Sequence, residues 1–275
     1  MYTNHKNTNE QEDTWMVPIT EEEKKLPYAK YYYREMAPIP QEKLAIWRGP
    51  MADPALATPI ENRNDFLRGN VKMEVGFTVA PNGTGFVANS TFMPGVTAEM
   101  VDWWFGWHSV GPDLRYKIWD PEDHYYARAM DPAYVLDPKV PNNQKTWGVT
   151  HDISEDIGLG VDPLKLSFKK PSDLGYDMSL IGTPGCATMV CAVGVSGSPA
   201  VMTHKVVNAE GGIWFKSHFW MGYGLDESGS IIKLVPEGES IPEMVPRALF
   251  GHNIKEFSNL AALLPDLYPE EKDNW

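Results

Sequence analysis

The chain has 275 residues, of which 43% are hydrophobic and 22% charged, ordinary values for a globular protein, so global disorder is excluded. Its net charge of −13 repels a phosphate backbone and an anionic lipid surface, so neither nucleic acid nor membrane is an expected partner. Two cysteines, Cys186 and Cys191, are too few for a disulfide scaffold and lack zinc-ribbon spacing; they read as buried free thiols in a reducing compartment.

Residues 1–15 are polar and expected to be mobile, without the apolar run of a signal peptide. With no stretch of about 18 apolar residues elsewhere, no transmembrane helix is expected and a cytoplasmic location is. Residues 16–70 are rich in proline and charge, with short helices expected over 40–48 and 60–68. Residues 1–70 read as an N-terminal extension that packs on the main body, 71–275, or on a second subunit.

From residue 71 the pattern changes. Strands are expected over 71–80 and 86–92 around the turn PNGTG, where glycine supplies positive φ. Thr97 is placed to cap an aromatic-rich helix over 98–108. Residues 116–119 read as a short extended segment leading into DPEDHYYA, which carries His124. THDISEDIG carries His151 and Glu155, four apart, with poor periodicity. Strand signals are strongest over 188–196, 200–209, 212–222 and 231–234, and the short spacers between them require antiparallel pairing.

The stretch PRALFGHNIKEFSNLAALLPDL has helical periodicity, with Pro246 in its first turn and Pro265 as its stop. At 100° per residue, Leu249, His252, Glu256, Leu260 and Leu263 fall within about 80°. Phe250, Ile254, Phe257, Ala261 and Leu264 widen this apolar arc, and Arg247, Lys255 and Ser258 take the other side. His252 and Glu256 therefore neighbour each other on the inward half, where a bare carboxylate needs a partner.

That spacing suits an imidazole nitrogen and a carboxylate oxygen on one metal, and equally a simple His–Glu hydrogen bond. The pair His151 and Glu155, with His124, adds further candidate sets that spacing does not separate. His108 reads as structural. GVSGS lacks the final glycine of a nucleophile elbow, and no P-loop, G-x-G-x-x-G or H-E-x-x-H is present.

Six segments, in order, resemble the 2,4-diacetylphloroglucinol hydrolase family, which includes phloretin hydrolase. They are WWFGWH (103–108), RYKIWDPEDH (115–124), GVTHDISED (148–156), MTHK (202–205), SHFWMGYG (217–224) and FGHNIKEFSNLA (250–261). The resemblance implies an α+β helix-grip (Bet v 1-like) fold, a curved antiparallel sheet around a long C-terminal helix, and a homodimer. It also implies zinc held by His124, Glu155, His252 and Glu256. Glu155 is preferred to His151 by resemblance alone, lying 31 residues after His124 (155 − 124).

The implied reaction is hydrolysis of the carbon–carbon bond between a phloroglucinol ring and its acyl group, so the expected partner is a small aromatic ketone. His204 matches the family's proton-transferring histidine and Tyr116 its substrate-contacting tyrosine. Ala127 stands where the diacetyl enzyme has asparagine, which favours a bulkier acyl group, as in phloretin, over release of acetate. The expectation from another class is a non-catalytic helix-grip carrier, against which an inward His252–Glu256 pair argues.

Overall fold

The computed structural model describes residues 16–197 and 199–275; the polar stretch 1–15 lies outside the described residues. The first part carries 3-10 turns, among them Pro27–Tyr31, and two short helices, α1 (Gln41–Arg48) and α2 (Arg63–Arg68). Then come β1 (Gly76–Val79), β2 (Gly85–Pro94), α3 (Ala98–Trp107), α4 (Leu114–Lys117), β3 (His124–Ala129) and α5 (Pro132–Leu136). The rest is β4 (Thr150–Glu155), β5 (Asp162–Lys169), β6 (Thr188–Ser196), β7 (Ala200–Ala209), β8 (Gly212–Met221), β9 (Tyr223–Leu225), β10 (Ile231–Lys233) and α6 (Met244–Glu271).

Eight strands form one antiparallel sheet in the order β1-β2-β8-β7-β6-β5-β4-β3, and β9 and β10 make a separate ribbon. Strands β3 to β8 are a meander of neighbours, and β8 returns to pair with β2 along its whole length, from Gly85↔Met221 to Pro94↔Gly212. Alternation along β2 serves two cores. Val87 and Met93 join Phe250, Ile254 and Leu260 of α6, whereas Phe86 and Ala88 join Trp220, Phe66 and Leu67 on the opposite face. A sheet that grips one long helix and is capped on its other face is the helix-grip arrangement expected from the sequence.

The expected Thr97 cap is present, its side chain accepting from Met100 N, and Gly83 takes φ +84° in the PNGTG turn. Both cysteines are buried and free. Four local expectations change. Residues 114–117 are helical, because the backbone bonds back to Pro112 and Asp113 before the chain turns. The strand expected over 71–80 shortens to β1. Strands β4 and β5 were not anticipated, since both mix polar and half-buried positions.

The fourth change concerns α6, which runs through Pro265 and Pro269 to Glu271. A proline inside a helix removes one backbone bond, and here the N-terminal part braces the helix beyond it. Arg34 donates to Ala262 O and pairs with Asp266, while Lys30 and Tyr31 both bond Glu270. The same part covers the side of α6 away from the sheet, so Ser258 is buried instead of solvated. A Cβ at Gly251 would lie 2.5 Å from Trp47 Nε1, so only glycine permits this approach. Among the described residues no helix is long and apolar enough to cross a membrane.

Candidate metal centre and active site

Three elements converge at one end of the sheet. The DPEDH turn closes when His124 N bonds Asp120 O and Glu122 N bonds Asp120 Oδ1, which sets His124 at the start of β3. Antiparallel register then places His124 opposite Glu155, the last residue of β4. Helix α6 brings His252 and Glu256 to the same place, one turn apart. His124 Nε2 lies 3.3 Å from His252 Nε2, and Glu256 Oε2 lies 3.7 and 3.9 Å from the two nitrogens. Tyr116 stacks on His124 at 3.9 Å between ring centres, and its hydroxyl donates to Glu155 Oε2 at 2.5 Å. His124, Glu155, His252, Glu256 and Tyr116 are thus gathered in one site.

The tautomers follow from the outer hydrogen bonds. His124 Nδ1 faces the backbone carbonyl of Tyr116 at 3.3 Å, and His252 Nδ1 faces Asp123 Oδ2 at 3.1 Å. Both partners only accept, so both Nδ1 atoms carry the proton. With both rings neutral, each Nε2 presents a bare lone pair to the other; without a metal, a charged His252 relieves this by donating its Nε2–H to His124, and a cation between the rings does the same. Bonds of ~2.0–2.1 Å at tetrahedral angles place zinc donors about 3.3 Å apart. The observed triangle of two imidazoles and a carboxylate fits that demand.

Asp120, His124 and His252 also bring ligand atoms within 4.8 Å of one another, so this region can hold a metal ion. Asp120 has other engagements: Oδ1 accepts from Glu122 N, and Oδ2 lies 3.2 Å from Lys255 Nζ. Lys255 also meets Asp123 at 2.5 Å and Glu122 at 3.3 Å. On the other side, Asn253 donates to Glu256 Oε1, Asn89 donates to Asn253, and Lys43 of α1 donates to Thr91, which Asn89 also bonds. Asp120, Asp123, Asn253 and Lys255 were not singled out from sequence. The available signal was the acid run DPED just before His124 and the polar residues on either side of Ile254.

Electrostatics agree with a cation between the rings. Burial opposes charge on His252, but Glu256, the Asp123 hydrogen bond, Glu155 and Asp120 together hold its pKa up to about 10. Burial and the neighbouring His252 keep His124 neutral. Glu256 is pushed well above the usual carboxylate range by burial, with His252 opposing and Glu155 and Asp120 adding to the rise. Two clustered carboxylates and a charged imidazole are what a pocket for a divalent cation presents without it.

His204 lies outside this group of candidate ligands. Its ring lies among Phe105, Phe215, Phe219 and Phe257, with Nδ1 paired to Ser217 Oγ at 2.8 Å. Burial pushes its pKa down to about 3, so it rests neutral. Phe257 and Phe105 both border Trp119, which in turn packs edge-on to His124, so one aromatic cluster runs from His204 to His124. His108 stacks on Tyr116, and Ala127 is buried in the core shared with α6. His151 is buried on β4 in contact with Phe168 and does not reach the ligand triangle.

Known proteins similar to this chain fall in one family. Residues 56–269 match the family described as the DAPG hydrolase PhiG domain. Phloretin hydrolase of Eubacterium ramulus is 58% identical over 261 residues, covering 94% of this chain and 95% of its own. A 2,4-diacetylphloroglucinol hydrolase of Pseudomonas sp is 30% identical, covering 89% and 88%. Among solved structures, Ara h 8.0201 aligns with 66% of this chain and 98% of its own at 8% identity and a TM-score of 0.40, a loose superposition. The match spans both strands and the helix that carry the gathered side chains, and the chain belongs to the DAPG hydrolase PhiG domain family.

Proposed function

We propose that the protein is a zinc-dependent hydrolase that splits phloretin into phloroglucinol and 3-(4-hydroxyphenyl)propionate, with zinc held by His124, Glu155, His252 and Glu256. The observation that carries this proposal is the triangle of His124 Nε2 and His252 Nε2, 3.3 Å apart, closed by Glu256 Oε2 at 3.7 and 3.9 Å. A ligand carrier has no use for such a triangle. Zinc held by these residues would supply Lewis acidity, polarising the side-chain carbonyl and making water a better nucleophile.

The chain's own groups handle the protons and the orientation. His204 rests neutral, so it first accepts a proton, taking it from a ring hydroxyl and delivering it to the acyl-bearing ring carbon. That carbon becomes tetrahedral, the aryl ketone becomes β-diketone-like, and its bond to the acyl carbon weakens. Hydrolysis gives the hydroxyl of water to the acyl carbon, the ring keeps the delivered hydrogen, and the remaining proton of water restores the ring hydroxyl as aromaticity returns. Tyr116, held by burial and the neighbouring Glu155 and Glu256 as a phenol, donates to the developing oxyanion or a ring hydroxyl. The aromatic wall around His204 keeps bulk water from this proton path.

Phloretin is preferred over the diacetyl compound because of the 58% identity and because Ala127 is small and apolar where the diacetyl enzyme carries asparagine. The protein is proposed to act in the cytoplasm as a homodimer, with residues 1–70 as an N-terminal extension and 71–275 as the catalytic domain. Incubation with phloretin and with 2,4-diacetylphloroglucinol, with product identification and metal analysis, tests the whole. Release of phloroglucinol from phloretin by metal-loaded protein is expected, and full activity after metal removal would refute the zinc assignment. Ala127→Asn should shift the ratio toward the diacetyl substrate; an unchanged ratio removes Ala127 from the argument.

A further inference from the structure

His151 is fully buried, and neither of its ring nitrogens has a hydrogen-bond partner. Buried polar side chains are almost always paired, and an exception calls for a missing partner. Its surroundings are aromatic: Phe168 at 4.4 Å and His108 at 6.0 Å between ring centres. His108 Nδ1 donates to Trp104 O at 2.7 Å, so its Nε2 is an acceptor. Burial keeps both rings neutral. Together they offer lone pairs and one N–H. A hydroxyl fits this set, since it both donates and accepts; a carboxylate would leave the lone pairs facing each other's charge.

Position points to the same ligand. The rings form a row from the metal centre: His124 on Tyr116 at 3.9 Å, Tyr116 on His108 at 5.6 Å, and His108 on His151 at 6.0 Å. Along β4, residues 151 and 155 share a face and stand about 13 Å apart at ~3.3 Å per residue. An extended arylpropionyl group measures on the order of 8 Å from carbonyl to para oxygen by standard bond lengths. A hydrogen bond of about 3 Å at each end brings the total close to the strand distance.

We propose that His151, with His108, forms a recognition subsite for a hydroxyl at the far end of the substrate's acyl substituent, which makes His151 a specificity-determining residue. This rests on the aryl-ketone hydrolase reading above. A site built to bond a hydroxyl discriminates strongly against the analogue that lacks it, because its own polar atoms are left unpaired.

The test compares kcat/KM for phloretin and for the phloroglucinol ketone bearing a 3-phenylpropanoyl group without the para hydroxyl. Wild-type protein should prefer phloretin by about 100-fold. His151→Phe should bring that ratio near one, and His151→Asn, which keeps a donor and an acceptor, should retain part of it. An equal fall on both substrates, an unchanged ratio, or no wild-type preference would overturn the subsite. If His151→Phe does not fold, the wild-type ratio and His151→Asn decide. Turnover of neither ketone by metal-loaded wild type would instead overturn the hydrolase reading, a result distinct from cleavage of both without preference.

Discussion

His252–Glu256 and His151–Glu155 have the same residue types in the same order at the same spacing, yet their geometries differ completely. On α6 four residues make one turn, and His252 Nε2 lies 3.9 Å from Glu256 Oε2. On β4 four residues share a face but spread over about 13 Å, so Glu155 lies opposite His124 whereas His151 lies opposite Ala129. An i, i+4 pair therefore brings two side chains together on a helix and holds them apart on a strand. The two pairs also differ in satisfaction. His252 is bonded to Asp123, whereas His151 has neither nitrogen bonded.

The largest expected effect separates the pairs by metal content. His252→Ala and Glu256→Ala should lose bound zinc and several orders of magnitude of activity together, whereas His151→Asn should keep its zinc. Metal stoichiometry of the purified variants checks this, and zinc loss from His151→Asn would erase the distinction. Next in size, His204→Ala should retain zinc but lower kcat by about 10²–10⁴-fold, the usual contribution of a proton-transfer group. A near-wild-type rate would remove His204 from the reaction.

Smaller effects sharpen the comparison. Asp123→Ala should weaken zinc affinity about 10- to 100-fold, because the bond that fixes the His252 tautomer is lost. Chelator competition measures it, and unaltered affinity would mean the carboxylate does not orient the ring. The smallest concerns stability. His204 and His218 are fully buried with pKa values pushed down by burial to about 3, below their ordinary 6.5. Above about pH 6.5 both states are neutral and stability is complete. As pH falls toward 3 the unfolded chain takes up protons that the folded one refuses, so stability is lost. Each such imidazole costs about 2 kcal/mol at pH about 5. Urea midpoints at about pH 7 and about pH 5 should show the drop, and His218→Phe, on the sheet face away from the site, should reduce it; an unchanged drop would refute its part.

Much of the site was legible because one side of it is local. Helical phase alone puts His252 and Glu256 together facing inward, and α6 confirms that face. His124 and Glu155 are joined by strand register across 31 residues, which no periodicity encodes; only family resemblance pointed to them. Asp123, Asp120 and Lys255 were missed because an acid run beside a histidine usually means a solvated turn. Here α6 packs Lys255 down onto it, at 2.5 Å from Asp123. The expected stop at Pro265 failed for a similar reason. Local chemistry breaks a helix at proline, but Arg34, Lys30 and Tyr31 restrain the last turns from a segment more than two hundred residues earlier in the chain.

The sequence by itself determined the antiparallel strands of the central stretch, the terminal helix and its inward His–Glu pair, because these depend on periods of two and 3.6 residues, while the helix-grip class came from family resemblance. The tertiary structure decided which carboxylate faces His124, which tautomers the imidazoles hold, and that His151 ends a row of rings instead of binding with Glu155. Those are outcomes of register and crossing between distant segments, and hydrogen bonds made there fix where each lone pair points.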